Sequence, residues 1–416
     1  MRHILLSSVA LSSALVLSGC GGGSANPSAS LATAAVTNPA PAPAPTPTPT
    51  PTPQPTTPAG FIVAESLEGA AARVADFDVE NGLKPAWGSG QIPNLYTQDR
   101  SVGAFRFTCG GKGKLSYDDP VVYAGQPNAS HLHQIWGSAT FDAFTTPDSL
   151  AAEASTNCND TAYSANRSSY WMPALINDDG YAVQPDLVSV YYKRPTSTSE
   201  FCDPNGRRFR GTCVGLPNQI RFVFGWDSKD PTAEVKGAKW YCTGGDKKKH
   251  PDLDSIFASG CGVGDLLIAN TNAPDCWDGK HLDSPNHRSH VAYSSYGSWG
   301  YKKCPESHPY VIPQEENKVQ FTVTADMINP DGTSRVRLSS DAMLPGARPG
   351  ETLHADYMES WVGAVKQMWM DHCIEQALNC SGGDLGNGKQ LIGASQPSYG
   401  WRNPSPLVAV PDRSGS

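Results

Sequence analysis

Gln219-IRFVFG-Trp226 and Lys318-VQFTVTA-Asp326 decide the fold class. In the first, Ile220, Phe222, Phe224 and Trp226 occupy every second position. In the second, Val319, Phe321, Val323 and Ala325 do the same, leaving Gln320, Thr322 and Thr324 to face outward. Successive side chains of an extended chain point to opposite faces, so a period of two buries one face of a strand and wets the other. Phe105-RFTC, Val121-VY and Leu187-VSVYY add further β-rich runs, with Gly and Pro between them. A mainly β chain is expected, with a β-sandwich-like core, long loops and a few peripheral α-helices. Two helices are predicted. The shorter covers residues 66–75, with Leu67, Ala70, Ala71 and Val74 at helical spacing. The longer covers residues 357–378, with Met358, Trp361, Val365, Met368, Trp369 and Ile374 along one stripe. Such a stripe reads as core packing.

Outward from these runs, the chain divides by composition. Residues 1–19 have a positive start at Arg2, an apolar run over 4–17, and then Leu17-Ser18-Gly19-Cys20. The run is too short and too serine-rich for a comfortable membrane span. Its end resembles the lipobox of bacterial lipoproteins, which implies lipidation at Cys20 and an exported chain anchored to its membrane (the outer membrane or cell surface in a Gram-negative cell). Residues 20–60 collapse to Gly, Ala, Ser, Thr and Pro, with Ala-Pro and Thr-Pro repeats. A segment with so little apolar side chain has nothing to bury. The proline density of residues 39–58 within it favours polyproline II at ~3.1 Å per residue, giving a semi-rigid spacer of roughly 60 Å. Residues 61–411 carry the apolar and aromatic side chains of a single globular domain, and 412–416 form a short tail.

The cysteines support the same compartment. There are eleven, and setting Cys20 aside leaves an even set at Cys109, Cys158, Cys202, Cys213, Cys242, Cys261, Cys276, Cys304, Cys373 and Cys380. An even set scattered through an exported domain reads as a disulfide framework. Cys202 with Cys213 and Cys373 with Cys380 would each close a short loop; the other pairings stay open. No CxxC pair occurs, which argues against a thiolate zinc site. The formal charge of −8 comes without a basic stripe, so nucleic acid is excluded as the main partner. Lys247, Lys248 and Lys249 read as a solvated loop.

Histidines cluster where chemistry would need them. Ser130-His131-Leu132-His133 places two imidazoles on one side of an extended chain. Cys276-Trp277-Asp278-Gly279 leads to His281, Asp283 and Asn286-His287-Arg288-Ser289-His290, an ordered loop by its lack of apolar period. His308 follows Cys304-Pro305, and His354-Ala355-Asp356-Tyr357 precedes the predicted longer helix. Nucleophile-elbow, HExxH, P-loop and dinucleotide-binding patterns are absent from the sequence.

Asn128-ASHLHQIWG-Ser138, Ser169-YWMPA-Leu175, Cys276-WDGKHLDSPNHRSHVA-Tyr293, Cys304-PESHPYVI-Pro313 and Leu353-HAD-Tyr357 closely resemble the DUF1996 family, over about residues 105–380. The family is named for its unknown function. Its members are exported proteins of fungi and bacteria, often joined to carbohydrate-binding modules such as WSC domains, so the resemblance points towards extracellular or cell-wall polysaccharide as partner. Asn286 stands where the family often has Asp, and Glu359-Ser360-Trp361 where Asn-Gly-Trp is common; neither change removes a histidine.

These residues define one expected pocket with three sets of roles. His131, His133, His290, Asp278 and Asp283 are candidates for acid–base or hydrolytic catalysis. Trp136, Trp171 and Trp277, with Tyr170, would stack on sugar rings, while His287 and Arg288 hydrogen-bond hydroxyls. His131, His133, His308, His354 and Asp356 are the candidate ligands for a divalent metal such as zinc or copper. Against each stands a plainer reading. A buried histidine can simply brace a loop through both ring nitrogens, and Trp277 can pack on the disulfide of Cys276. Three functions are therefore expected in order: a surface lipoprotein that binds or processes extracellular or cell-wall polysaccharide, with glycan-active hydrolase-type chemistry as its enzyme version; a non-catalytic adhesion or wall-organising domain; and an extracellular metal binder.

Overall fold

A computed structural model describes residues 60–72, 76–86, 101–110, 112–153, 155–158, 165–298, 300–392 and 407–413. The expected leader, Cys20 and the tether up to residue 59 lie outside the described residues.

The chain is mainly β, and two sheets organise it. The seven-stranded sheet runs in spatial order Lys249–His250, Ala238–Cys242, Leu266–Asn272, Gln314–Thr322, Leu187–Pro195, Val102–Gly110 and Asn379–Cys380. Its pairs are antiparallel except the last, which is parallel. The five-stranded sheet runs Arg221–Gly225, His354–Met358, Ser169–Pro173, His133–Trp136 and Lys114–Ser116, antiparallel throughout.

One buried cluster joins the two sheets. The seven-stranded sheet contributes Phe105, Phe107, Val190, Tyr192, Leu267, Val319 and Phe321, and the five-stranded sheet contributes Tyr170, Met172, Phe222, Phe224, Ala355 and Tyr357. The Phe107 and Tyr170 rings lie 6.1 Å apart across the gap, and the Tyr170 and Tyr192 hydroxyls 2.6 Å apart. Each such side chain contributes roughly 1.5–3 kcal/mol on leaving water, and each buried hydroxyl is satisfied by another, so aromatic bulk is buried here without stranding a polar group.

Alternation then decides what the opposite face of the five-stranded sheet carries. Where Phe222, Phe224, Tyr170, Ala355 and Tyr357 point inward, Val223, Trp171 and Met358 point outward with Ile135 into a second, smaller cluster that includes Phe141 and Leu150. His133, His354 and Asp356 share the parity of these outward residues. The candidate chemistry therefore stands on the outer face of a rigid sheet.

Five disulfides staple the loops: Cys109–Cys158, Cys202–Cys213, Cys242–Cys261, Cys276–Cys304 and Cys373–Cys380. Both local pairs expected from spacing are among them.

Several local expectations need correction. Residues 66–72 are not helical. Ser66 bridges Gly69, and Gly69, at φ +93°, pairs with Asn218 so closely that a Cβ would meet its backbone at 2.4 Å. Backbone pairing across the fold overrides the weak helical period; residues 73–75 lie outside the described set. The expected helix over 357–378 begins later. Tyr357 is held in the strand His354–Met358, and the helix spans Gly363–Trp369 before widening to a π-turn over Met370–Ile374. Its stripe still packs, for Trp361, Val365, Trp369 and Ile374 join the main cluster. Val121 and Tyr123 lie in a turn, not a strand, because Asp119 accepts hydrogen bonds from the Val121 and Val122 amides at 2.9 Å each. Ala325 is exposed beyond the end of the strand Gln314–Thr322. Trp226 leaves the face of Phe222 and Phe224 because Gly225, at φ +93°, breaks the alternation.

Candidate functional site

His131, His133 and His354 meet beneath a cleft on this outer face, His131 and His354 lining it and His133 fully buried. One ring nitrogen from each lies within 4.8 Å of the others. His133 belongs to the strand His133–Trp136 and His354 to the strand His354–Met358, two positions apart in the same sheet with Ser169–Pro173 between them. Their main chains are thus fixed by ladder hydrogen bonds. His131 precedes its strand and bends over, its ring 4.1 Å from that of His133 and 5.1 Å from that of His354, centre to centre.

Each of the three rings is oriented through Nδ1. His133 Nδ1 lies 3.3 Å from Asp118 O, and His354 Nδ1 lies 2.8 Å from Thr352 O. Carbonyls only accept, so both Nδ1 atoms carry the proton. His131 Nδ1 lies 3.0 Å from Ser339 Oγ, whose own proton goes to Leu132 O. The Nε2 atoms turn inward: those of His131 and His354 are 3.2 Å apart, and that of His133 is buried without a hydrogen-bond partner. Burial, aided by the neighbouring imidazoles, depresses all three basicities: His133 falls to about 3, and His131 and His354 fall well below the ordinary histidine value.

Asp356 stands two residues beyond His354 on the same face. It is 1% exposed, and neither carboxylate oxygen has a hydrogen-bond partner. Burial first, then the nearby Asp119, push its pKa well up, against the pull of Arg288. Asp119 is also raised by burial, though two backbone amides and His287 oppose the shift.

The cleft above this floor has ≈ 500 Å³ of free space counting the solvent at its open mouth, with His287, Arg288, Trp226 and Lys229 on its walls. His287 adopts φ +56°, and its Nδ1 lies 2.8 Å from Asp283 Oδ1, while Asp283 Oδ2 pairs with Arg221 Nε at 2.6 Å. Arg288 donates to Gly225 O and Trp226 O at 3.2 and 2.7 Å, which pins the 286–290 loop against the end of the Arg221–Gly225 strand. A second, more open cleft of ≈ 770 Å³ adjoins the first and shares Tyr123, Ser130, His131 and Met343 with it. Arg413 borders this second cleft, donating to Asn128 O and Ser130 O at 3.2 and 2.8 Å and lying over the Tyr117 ring.

The expected single pocket is therefore only partly assembled. His131, His133, His354, Asp356, His287 and Arg288 come together, and Asp283 acts behind His287. His290 does not join them. Its Nδ1 meets Ser284 Oγ and its Nε2 meets Arg221 O, both at 2.9 Å, so it braces the loop. His308 bonds Ser307 Oγ and Ser289 O, apart from the three-histidine floor. Asp278 caps its own turn, accepting from the Lys280 and His281 amides and from the His281 ring. The three tryptophans named for stacking are buried: Trp136 and Trp277 in the main cluster and Trp171 in the smaller one, at 2%, 0% and 1% exposure. Aromatic bulk in a β-sandwich goes first to the core, and these side chains present no face to a ligand. Asp119, Tyr123, Trp226, Ser339 and Thr352 enter the site without having been singled out. Of these, Asp119 carried a usable signal, since Asp118-Asp119-Pro120 reads as a turn leading into the Ser130-His131 segment.

A mainly β, disulfide-stapled domain with a cleft floored by three imidazoles defines the class of site. Residues 119–361 match the family described as a domain of unknown function, DUF1996, and the chain belongs to that family. No curated protein and no solved structure matches the chain.

Proposed function

We propose that this chain is an exported, lipid-anchored protein that binds and processes extracellular or cell-wall polysaccharide in the groove passing over His131. The observation that carries the reading is the continuity of the two clefts, which share Tyr123, Ser130, His131 and Met343. A ligand lying in both would extend to either side of His131, as a polymer does and a compact metabolite does not. Tyr123 is partly exposed and offers a flat face to a sugar ring, replacing the tryptophans in that role, while the Arg413 guanidinium covers the Tyr117 ring. Asn286, Asp227 and Lys229 offer hydrogen bonds to hydroxyls along the first cleft. His287, oriented by Asp283, is the group placed for proton transfer.

The test is retention of the full chain on insoluble glucan, chitin and peptidoglycan. Retention on at least one, weakened tenfold or more by Tyr123→Ala, supports the reading; no retention on any, or retention indifferent to Tyr123, overturns it. Release of new reducing ends that His287→Gln abolishes, with retention intact, separates processing from adhesion alone. For the anchor, Cys20→Ser is expected to abolish incorporation of labelled fatty acid and release the chain from membranes; unchanged labelling would refute lipidation at Cys20.

A further inference from the structure

We infer that His131, His133 and His354 form a mononuclear site for a late first-row divalent metal, zinc or copper, bound through three Nε2 atoms with the remaining coordination position open to the cleft. The argument is one of proton placement. Asp118 O and Thr352 O can only accept, so His133 and His354 carry their protons on Nδ1. Ser339 has one hydroxyl proton, and it is directed at Leu132 O; its oxygen is then left to accept from His131 Nδ1. All three imidazoles therefore carry an unprotonated Nε2, and one ring nitrogen of each lies within 4.8 Å of the others.

With the protons so placed, two such lone pairs face each other at 3.2 Å, between His131 and His354. That contact is repulsive unless a cation lies in the gap. A metal fits by distance. With Zn–N bonds of about 2.0–2.1 Å, two ligands of a tetrahedral ion stand about 3.3 Å apart. His133 Nε2, buried and unpartnered, supplies the third donor. The Nδ1 contacts to carbonyls and a hydroxyl are those that fix metal-binding histidines in tautomer and direction.

Three neutral nitrogen donors and no thiolate select zinc or copper over the harder cations. His131 and His354 line the cleft, so the vacant position of a tetrahedral ion opens towards it. Among the described residues the other cluster of ligand-type side chains, Cys242, Cys261 and Asp265, is disqualified because its two sulfurs form a disulfide. Asp356, two residues beyond His354 on the same face, lines the same cleft with both oxygens unpartnered.

The experiment uses the full chain stripped with chelator and titrated with Zn²⁺ or Cu²⁺ alone. Binding of one equivalent is expected, with a rise in Tm. His133→Gln and His354→Gln should each weaken binding at least a hundredfold, and Ser339→Ala 10–100-fold as a positioning change. His308→Gln should leave binding unchanged. A copper-loaded wild-type sample should show nitrogen hyperfine structure from three imidazoles by electron paramagnetic resonance or its pulsed forms, which needs no variant to fold. Failure to bind either metal, coordination by fewer than three imidazoles, or full binding by His133→Gln,His354→Gln overturns the inference. The result is independent of the polysaccharide reading: glycan retention by metal-free protein that binds neither ion sinks this site alone, and metal binding without glycan retention sinks the other.

Discussion

Gly225 lies directly opposite His354 in the antiparallel pair between their strands, and a Cβ on Gly225 would stand 2.7 Å from the His354 Cα. The same glycine, at φ +93°, turns Trp226 into the cleft and offers its carbonyl to Arg288. One missing side chain thus sets the spacing of the floor and the direction of one wall. Gly225→Ala is expected to destabilise the domain by roughly 1–3 kcal/mol, from a left-handed non-glycine residue together with the clash. Urea unfolding measures it; a change within a few tenths of a kcal/mol would show that the strands part freely.

Asp283 joins the loop to the sheet. It is 2% exposed and holds both Arg221 and His287. Burial alone would raise its pKa, yet the His287 hydrogen bond and the Arg221 charge together bring it below the ordinary value. Removing one partner of a buried pair strands the other. Asp283→Ala should cost about 3–5 kcal/mol by chemical denaturation, whereas Asp278→Ala, which ties only its own turn, should cost about 1 kcal/mol. Equal losses would refute the assignment of Asp283 as the structural tie.

His290 makes stability depend on pH. Burial, against the opposing pull of Asp283 and Asp278, lowers its pKa from 6.5 to about 4. The unfolded chain therefore takes up this proton near pH 6.5 while the folded chain resists until about pH 4. The sign follows: the contribution is intact above pH 6.5, declines as pH falls, and levels off below about 4, with a total of about 3 kcal/mol. His290→Gln should flatten the curve in that window relative to wild type, since the other histidines titrate in both proteins. Parallel curves would contradict it.

The disulfides should differ in weight. Cys109–Cys158 spans 49 residues and Cys373–Cys380 spans 7. If each acts mainly by restricting the unfolded chain, replacing both cysteines by serine should cost about 4 kcal/mol for the first pair and about 2 for the second. Calorimetry of the two double variants decides; a larger loss at the short loop would show that native contacts, not chain entropy, dominate.

Within the fold, alternating segments were legible because a strand's period is set locally by the pleat. Ile220, Phe222 and Phe224, and Val319, Phe321 and Val323, are buried as their spacing requires. The helix within 357–378 starts later than its apolar period implies because ladder bonds to two neighbouring strands hold Tyr357 extended, and no local pattern records those neighbours. Trp226 was misjudged for a different reason: the period is right, but a single glycine after Phe224 changes the face. In the site, His131, His133, His354 and Asp356 were legible as residue types, and the tryptophans were over-read because an indole suits a sugar and a core equally well.

By itself the sequence determined the mainly β class, the disulfide-stapled character and the membership suggested by the CWDG and HRSHVAY segments, since all three rest on residue identity and short spacing. Only the tertiary structure decided which histidines share a site. His131 and His354 are separated by 223 positions, yet their Nε2 atoms stand 3.2 Å apart. His287 and His290 are three positions apart, yet one lines the cleft and the other is locked behind it. The physical reason is that a sheet brings distant strands into register through backbone hydrogen bonds, and only then do the side chains on its outer face become neighbours.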